Sequence, residues 1–275
     1  MNGGEVVVVT GFGPFRQFLV NPSWKAAKGL KLVGFGERTD IFIREVPVSY
    51  VKTQQIIAEI WQTLHPKFAV HLGVARGSSD VFLEQTGKNS GYRDKDVCGF
   101  CPESQCCVEG GPEKLDSVVN MRAVAKEFKQ AGTDVIYSRD AGRYLCDFAY
   151  YFSLYHGQRR AALIHVPSSG SLTSADRLVP LLQSLIHTML DQLEDPQKPH
   201  EEMMTEDFSK PAVTARVVSR QSWAGVPPQA RWPKHVLSAC PRLGLETLRQ
   251  LGPGRRETQV PVTEYSDLAW GITAG

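Results

Sequence analysis

The chain has 275 residues, of which 42% are hydrophobic and 22% charged, with a formal net charge of +2 when the histidines are neutral. That balance is ordinary for a globular protein and excludes a chain too polar and too charged to build a core. It also gives no basic surface of the kind that binds nucleic acid, and no run of the roughly 20 apolar residues that span a bilayer.

Met1-Asn2-Gly3-Gly4-Glu5 has neither the basic start nor the apolar stretch of a secretion signal, so the expected location is the cytoplasm. In a reducing compartment the six cysteines are expected as free thiols.

Val6–Thr10 is β-branched and closed by Gly11, the pattern of a buried strand. Asn21-Pro22-Ser23 starts a helix, with Asn21 as N-cap and Pro22 at the first helical position, where its missing N–H costs nothing. Ile41–Val48 reads as a second strand. Ile56, Ile57, Ile60, Trp61 and Leu64 recur at helical spacing, which predicts a core-facing helix over Tyr50–Leu64. Phe68–Leu72 and Val81–Leu83 are the next strands. Asp116 is placed to cap a helix running to about Lys129, followed by a strand over 134–138. A helix over Tyr144–Tyr155, a strand over Ala161–Val166 and a final helix with Leu178, Leu182, Leu185, Met189 and Leu193 facing inward complete the set. Pro180 either starts that helix or kinks it.

Strands alternating with helices imply an α/β fold: a three-layer αβα sandwich with a twisted, mostly parallel central sheet. Ligands in such folds bind beyond the carboxyl ends of the strands. Attention therefore falls on the loops after Thr10, Gly73, Ser138 and Val166. Nine of the 17 prolines lie in residues 196–275, without a repeated apolar pattern. The expected division is an α/β domain over 1–195 and a Pro-rich, largely unstructured extension over 196–275, with a small packed module as the alternative.

Three residues carry chemistry. Cys146 follows a strand, a glycine turn and the first turn of a helix, where free backbone N–H groups and the helix dipole favour a thiolate and can hold an oxyanion. His165 ends a strand that opens toward the same crevice, as suits a general acid–base. Glu84, at the end of an apolar strand, could orient that histidine. Each also has a plain structural reading: a small hydrophobe, a core histidine, a solvated strand end. Spacing alone does not join them.

Gly11-Phe12-Gly13-Pro14-Phe15, Asn21-Pro22-Ser23, the segment 140–148 (DAGRYLCDF) and Ile164-His165-Val166-Pro167 together resemble pyroglutamyl-peptidase I. Cys98-Gly99-Phe100-Cys101-Pro102-Glu103-Ser104-Gln105-Cys106-Cys107 adds the vertebrate-type signature. The resemblance covers about residues 5–195 and implies removal of N-terminal pyroglutamate from peptides. It places the catalytic Glu, Cys and His on Glu84, Cys146 and His165. It also implies a pocket for a neutral lactam, with apolar walls from Phe12, Phe15, Tyr144 and Leu145 and backbone contacts from the loop after Gly73. Core packing is the plain alternative for the two phenylalanines. No metal or organic cofactor is implied. C-x2-C-x4-C-C contains half a zinc pattern, but adjacent Cys106 and Cys107 point apart on an extended chain and no second spaced pair follows.

Two departures stand out. Arg16-Gln17-Phe18 occupies a loop that is glycine-rich in many members, and Pro180 interrupts the last helix. They support a second reading: a peptidase fold without useful turnover that acts as a binding or regulatory protein.

Overall fold

The strands marked by β-branched and apolar runs assemble into one sheet. The computed structural model describes residues 4–133 and 135–194. The strands are β1 (Glu5–Phe12), β2 (Thr39–Val46), β3 (Phe68–Ala75), β4 (Val81–Glu84), β5 (Thr86–Lys88), β6 (Lys114–Asp116), β7 (Val135–Ser138) and β8 (Ala161–Pro167). Six of them form the central sheet in the order β2-β1-β3-β8-β4-β7, and β5 and β6 pair separately. β2, β1, β3 and β8 are mutually parallel, whereas β4 runs antiparallel to β8 and parallel to β7.

The helices are α1 (Pro22–Val33), α2 (Tyr50–Glu59), α3 (Met121–Gln130), α4 (Leu145–His156) and α5 (Ala175–Glu194). Strand alternation sorts them into two layers. Val7, Val9, Val70, Leu72, Leu83, Ala162 and Ile164 pack against Leu30 of α1, Val124 of α3 and Leu182 and Leu185 of α5. The opposite face presents Ala69, Ala161 and Leu163 to Ile57 of α2 and to Phe148 and Ala149 of α4. The result is a three-layer αβα sandwich.

Local signals held at most boundaries. Asn21 Oδ1 accepts from Ser23 N at 3.1 Å, with Pro22 in the first turn. The expected helix over 50–64 is α2 followed by one π turn, Ile60–Leu64. Asp116, however, ends strand β6. It accepts from Thr86 Oγ1 at 2.6 Å, and α3 starts later, capped by Asn120, whose Oδ1 accepts from Ala123 N at 3.0 Å. The polar β5–β6 pair is too short to show a period-two pattern, which is why it escaped notice. Pro180 lies inside α5, which begins at Ala175 and continues past it.

The reversed pair β4 and β7 corrects the loop assignment. The carboxyl end of β7 does not open on the same edge as those of β1, β3 and β8. Cys146 therefore reaches that edge through the connection 139–144. The extension over 196–275 lies outside the described residues. Among the described residues no helix is long and apolar enough to cross a membrane.

Among the described residues, the buried members of both apolar clusters lie at or before Leu190, with Leu193 packed against one of them. A chain ending at Glu194 is accordingly expected to keep a single cooperative thermal transition; loss of that transition would show that later residues complete the core.

Candidate active site

The site forms where β3, β8 and β4 bring their α4-facing residues level. Gly73 of β3 registers with His165 of β8. On the other side, antiparallel β4 places Phe82 opposite His165 and Glu84 opposite Leu163. Phe82 and Glu84 share a face, so Glu84 reaches His165 as a diagonal neighbour. His165 Nδ1 donates to Glu84 Oε1 at 2.9 Å. Glu84 is almost fully buried, and its second carboxylate oxygen, Oε2, has no protein partner.

Cys146, the second residue of α4, comes down over Gly73. A Cβ on Gly73 would lie 2.8 Å from Cys146 Sγ, 2.7 Å from His165 Cδ2 and 3.0 Å from His165 Nε2. Any side chain at position 73 would thus occupy the space of the sulfur and the imidazole. With Nδ1 committed to Glu84, Nε2 is the ring nitrogen that meets the Cys146 sulfur over Gly73. Burial disfavours a charge on His165, but the hydrogen bonds and negative charge of Cys146 and Glu84 outweigh it and push its pKa up to about 10. The site is therefore built to hold an imidazolium beside the Cys146 sulfur.

The helix start is left open. Tyr144 is the N-cap of α4 and makes no side-chain capping bond, unlike Asn21 and Asn120 at α1 and α3. The first-turn N–H groups thus lack a capping side chain just where an oxyanion would form beside Cys146.

The four residues expected to wall a pocket fall into two pairs. Phe12 and Leu145 are buried in the cluster beneath the site. Phe15 and Tyr144 are half-buried, and their rings lie 5.5 Å apart. Tyr144 also meets Tyr50 edge-on at 6.0 Å and donates its hydroxyl to Lys95 O at 3.2 Å. Burial and nearby Asp96 push the Tyr144 phenol up to about 12, so it stays neutral. Arg16 is exposed, has a left-handed φ of 51°, and holds its guanidinium 4.9 Å from the Phe15 ring centroid. The long cation that replaces glycine here is stacked on a pocket ring.

Cys101, Cys106, Cys107 and Cys146 are free thiols, whereas Cys98 is disulfide-bonded, which corrects the expectation of free thiols throughout. Cys107 is buried and donates Sγ to Phe148 O at 3.4 Å, while half-buried Cys106 pairs in a bridge with Ser90, so the adjacent thiols face different surroundings. Among the described residues no cluster of three or more His, Cys, Asp or Glu is arranged to hold a metal.

Sequence reasoning passed over three groups at the site: Gly73 as the seat of Cys146 and His165, Tyr50, and the buried Asp147 beside Cys146. The apolar run Phe68–Leu72 marked a strand but not what its closing glycine makes room for. Asp147 follows Cys146 directly, at a helix position where an acid reads as dipole compensation.

Residues 5–184 match the family described as pyroglutamyl peptidase. Pyroglutamyl-peptidase 1 of Homo sapiens is 47% identical over 192 residues, covering 69% of this chain and 92% of that protein. The human pyroglutamyl-peptidase 1-like protein is 42% identical over 170 residues, 61% of this chain and 87% of that one. Among solved structures, the pyroglutamyl peptidase I of Bacillus amyloliquefaciens aligns with a TM-score of 0.61 at 25% identity, over 70% of this chain and 99% of that one. A mutant pyrrolidone carboxyl peptidase of Pyrococcus furiosus aligns at 0.62 with 26% identity, over 68% and 99%.

Because Glu84 favours the charged imidazole, Glu84→Gln should lower the His165 pKa from about 10, as read from the ring proton shifts in an NMR titration. A histidine raised above its unfolded value of about 6.5 stabilises the fold fully below that pH and loses this contribution as pH rises through about 10. Alkaline destabilisation in denaturant melts should therefore be smaller in Glu84→Gln than in wild type; equal slopes would contradict the assignment.

Proposed function

Because the chain belongs to the pyroglutamyl peptidase family, we propose that Cys146, His165 and Glu84 are its nucleophile, acid–base and orienting carboxylate. The chain is a cysteine peptidase that removes N-terminal pyroglutamate from peptides. The observation that carries the residue assignment is the convergence of Cys146 Sγ and His165 Nε2 over Gly73, with Glu84 holding the far side of the ring.

In the first half-reaction, Cys146 sulfur forms a bond to the pyroglutamyl carbonyl carbon, and the oxygen takes the charge toward the open start of α4. The tetrahedral adduct expels the peptide amine as His165 Nε2 gives it a proton. Neutral His165 then takes a proton from water, the hydroxide adds to the thioester, and the C–S bond breaks to release pyroglutamate. Glu84 keeps Nδ1 protonated and Nε2 facing the sulfur throughout, and its charge stabilises the imidazolium.

Pyroglutamyl is a neutral lactam and needs no carboxylate to neutralise an amine. Phe15 and Tyr144 supply accessible ring surface for it, with Phe12 and Leu145 packed behind them. We assign this activity to the domain 1–195. A fold without turnover is the weaker reading, because all three catalytic identities are present and in contact, and Arg16 lies against Phe15.

Wild type is expected to release fluorophore from a pyroglutamyl amide under reducing conditions. Cys146→Ala should lose activity by at least ~10³-fold, and His165→Ala by about 10²–10⁴-fold. Absence of turnover by folded wild type, or turnover that survives in Cys146→Ala, would reject the assignment.

A further inference from the structure

Next to the nucleophile is a buried carboxylate that the acyl-transfer scheme does not use. Asp147 has 0% exposure and occupies the third position of α4. An acid there commonly reaches back to the N-cap backbone N–H. Asp147 instead turns to the last residue of β5 and the segment that follows it. Its Oδ1 accepts from Lys88 N at 3.3 Å, and its Oδ2 accepts from the Tyr92 hydroxyl at 3.0 Å and lies 3.6 Å from Arg143 Nη1. Lys88 N and Arg143 are donors, and the Tyr92 hydroxyl is shared between Asp147 and the Lys88 carbonyl, so the two nitrogen partners complement an ionised carboxylate.

The contact is tightly built. Tyr151, one turn along α4 from Asp147, lies against β5 so closely that a Cβ on Gly87 would fall 3.0 Å from Tyr151 Cα. Gly91, at φ 99°, leaves room for the Arg143 stem, whose Cδ would be 3.3 Å from a Cβ there. Arg143 and Lys88 both pair with Asp140, at 2.9 Å and 3.2 Å. Asp140, Arg143 and Asp147 therefore bracket the turn that delivers Cys146. An apolar residue at 147 would pack without the several kcal/mol of desolvation that a buried charge costs.

We propose that Asp147 is a positioning residue for the nucleophile: its carboxylate ties the first turn of α4 to Lys88 and Tyr92 and thereby holds Cys146 over Gly73 and His165. The inference rests on the assignment of Cys146 as nucleophile. Protonation removes the pairing with Arg143 and leaves a proton beside the two nitrogen donors, so the turn loosens as pH falls.

The charges that face Asp147 are Lys88 and Arg143, with Asp140 beyond them, while Tyr92, Tyr150 and the Cys107 thiol are neutral neighbours. Burial raises the Asp147 pKa, and Tyr92, Lys88 and Arg143 offset part of that, leaving it at about 7. The carboxylate thus changes state within the range where the enzyme would work.

The test follows alkylation of Cys146 by iodoacetamide in the full chain between pH 5.5 and 8.5, with mass spectrometry separating it from the other thiols. Asp147→Asn keeps the shape and cannot ionise. The ratio of wild-type to Asp147→Asn rate should grow about tenfold from pH 6 to pH 8, following ionisation of a group near pH 7. Simple repulsion between two anions predicts the opposite, a ratio that falls as Asp147 ionises; a purely structural role predicts a flat one. Either result overturns the proposal. Tyr92→Phe removes one donor to the carboxylate and should move the midpoint of the wild-type rise to higher pH, and an unchanged midpoint would also count against it. Alkylation needs no substrate, so the outcome stands apart from whether the pyroglutamyl amide is cleaved.

Discussion

The site depends on one bond across the antiparallel pairing of β4 with β8, His165 Nδ1 to Glu84 Oε1 at 2.9 Å. In an all-parallel sheet a residue that ends its strand points out of the same edge as its neighbours. Here β4 is reversed, so its last residue ends in mid-sheet, level with Leu163, and the carboxylate reaches back along β8. That places an acid behind the imidazole, out of contact with bulk solvent. Burying an ionised carboxylate is costly unless it is compensated. The charged imidazole supplies the compensation, and the carboxylate in turn keeps the imidazole charged against its own burial.

The two faces of the sheet divide the work. The face toward α1, α3 and α5 is almost wholly aliphatic, and its packing is the main source of stability. The face toward α2 and α4 carries the burdens: Thr10 bonded to His71 at 2.8 Å, Glu84, Asp147, and the tyrosines 50, 92, 150 and 151. Each tyrosine hydroxyl there has a backbone or carboxylate partner. Tyr150 reaches the carbonyls of Glu84 and Gln85 at 2.9 and 3.1 Å, and Tyr151 that of Pro112 at 2.5 Å. Polar bodies with exact partners fix α4 in one place, where aliphatic packing would tolerate small slides. A nucleophile carried on α4 needs that restraint.

What could be read beforehand was local or carried by resemblance. Valine runs, an Asn-Pro-Ser start and leucines at helical spacing each mark an element from a few residues, and the sandwich follows from their alternation. The triad was legible only through four ordered motifs, because Glu84, Cys146 and His165 meet through pairings far apart in the chain. The reversal of β4 and β7 left no local trace, since strand direction is set by connections and not by composition. Asp116 misled for a related reason: a residue able to cap a helix is equally able to accept from Thr86 across a short β pair. Gly73 looked like a strand terminator, and its real constraint, the closeness of a sulfur and an imidazole, belongs to other segments.

The start of α4 shows how local stability and function trade against each other. Asn21 and Asn120 cap their helices with a side-chain oxygen, a contribution worth about 1 kcal/mol each. Tyr144 forgoes that bond, and the acid at the third position, which could have closed a capping box, faces away. Both omissions act in one direction, leaving first-turn N–H groups without a side-chain partner beside the sulfur. A helix that gives up its own cap must be held from outside, and the Lys88 backbone, the Tyr92 phenol and the Arg143 fork do so through Asp147. The donors freed by the missing cap and the donors gathered around the buried acid are therefore two sides of a single arrangement: the helix end carries no capping side chain beside Cys146 and is anchored one residue further on, at Asp147.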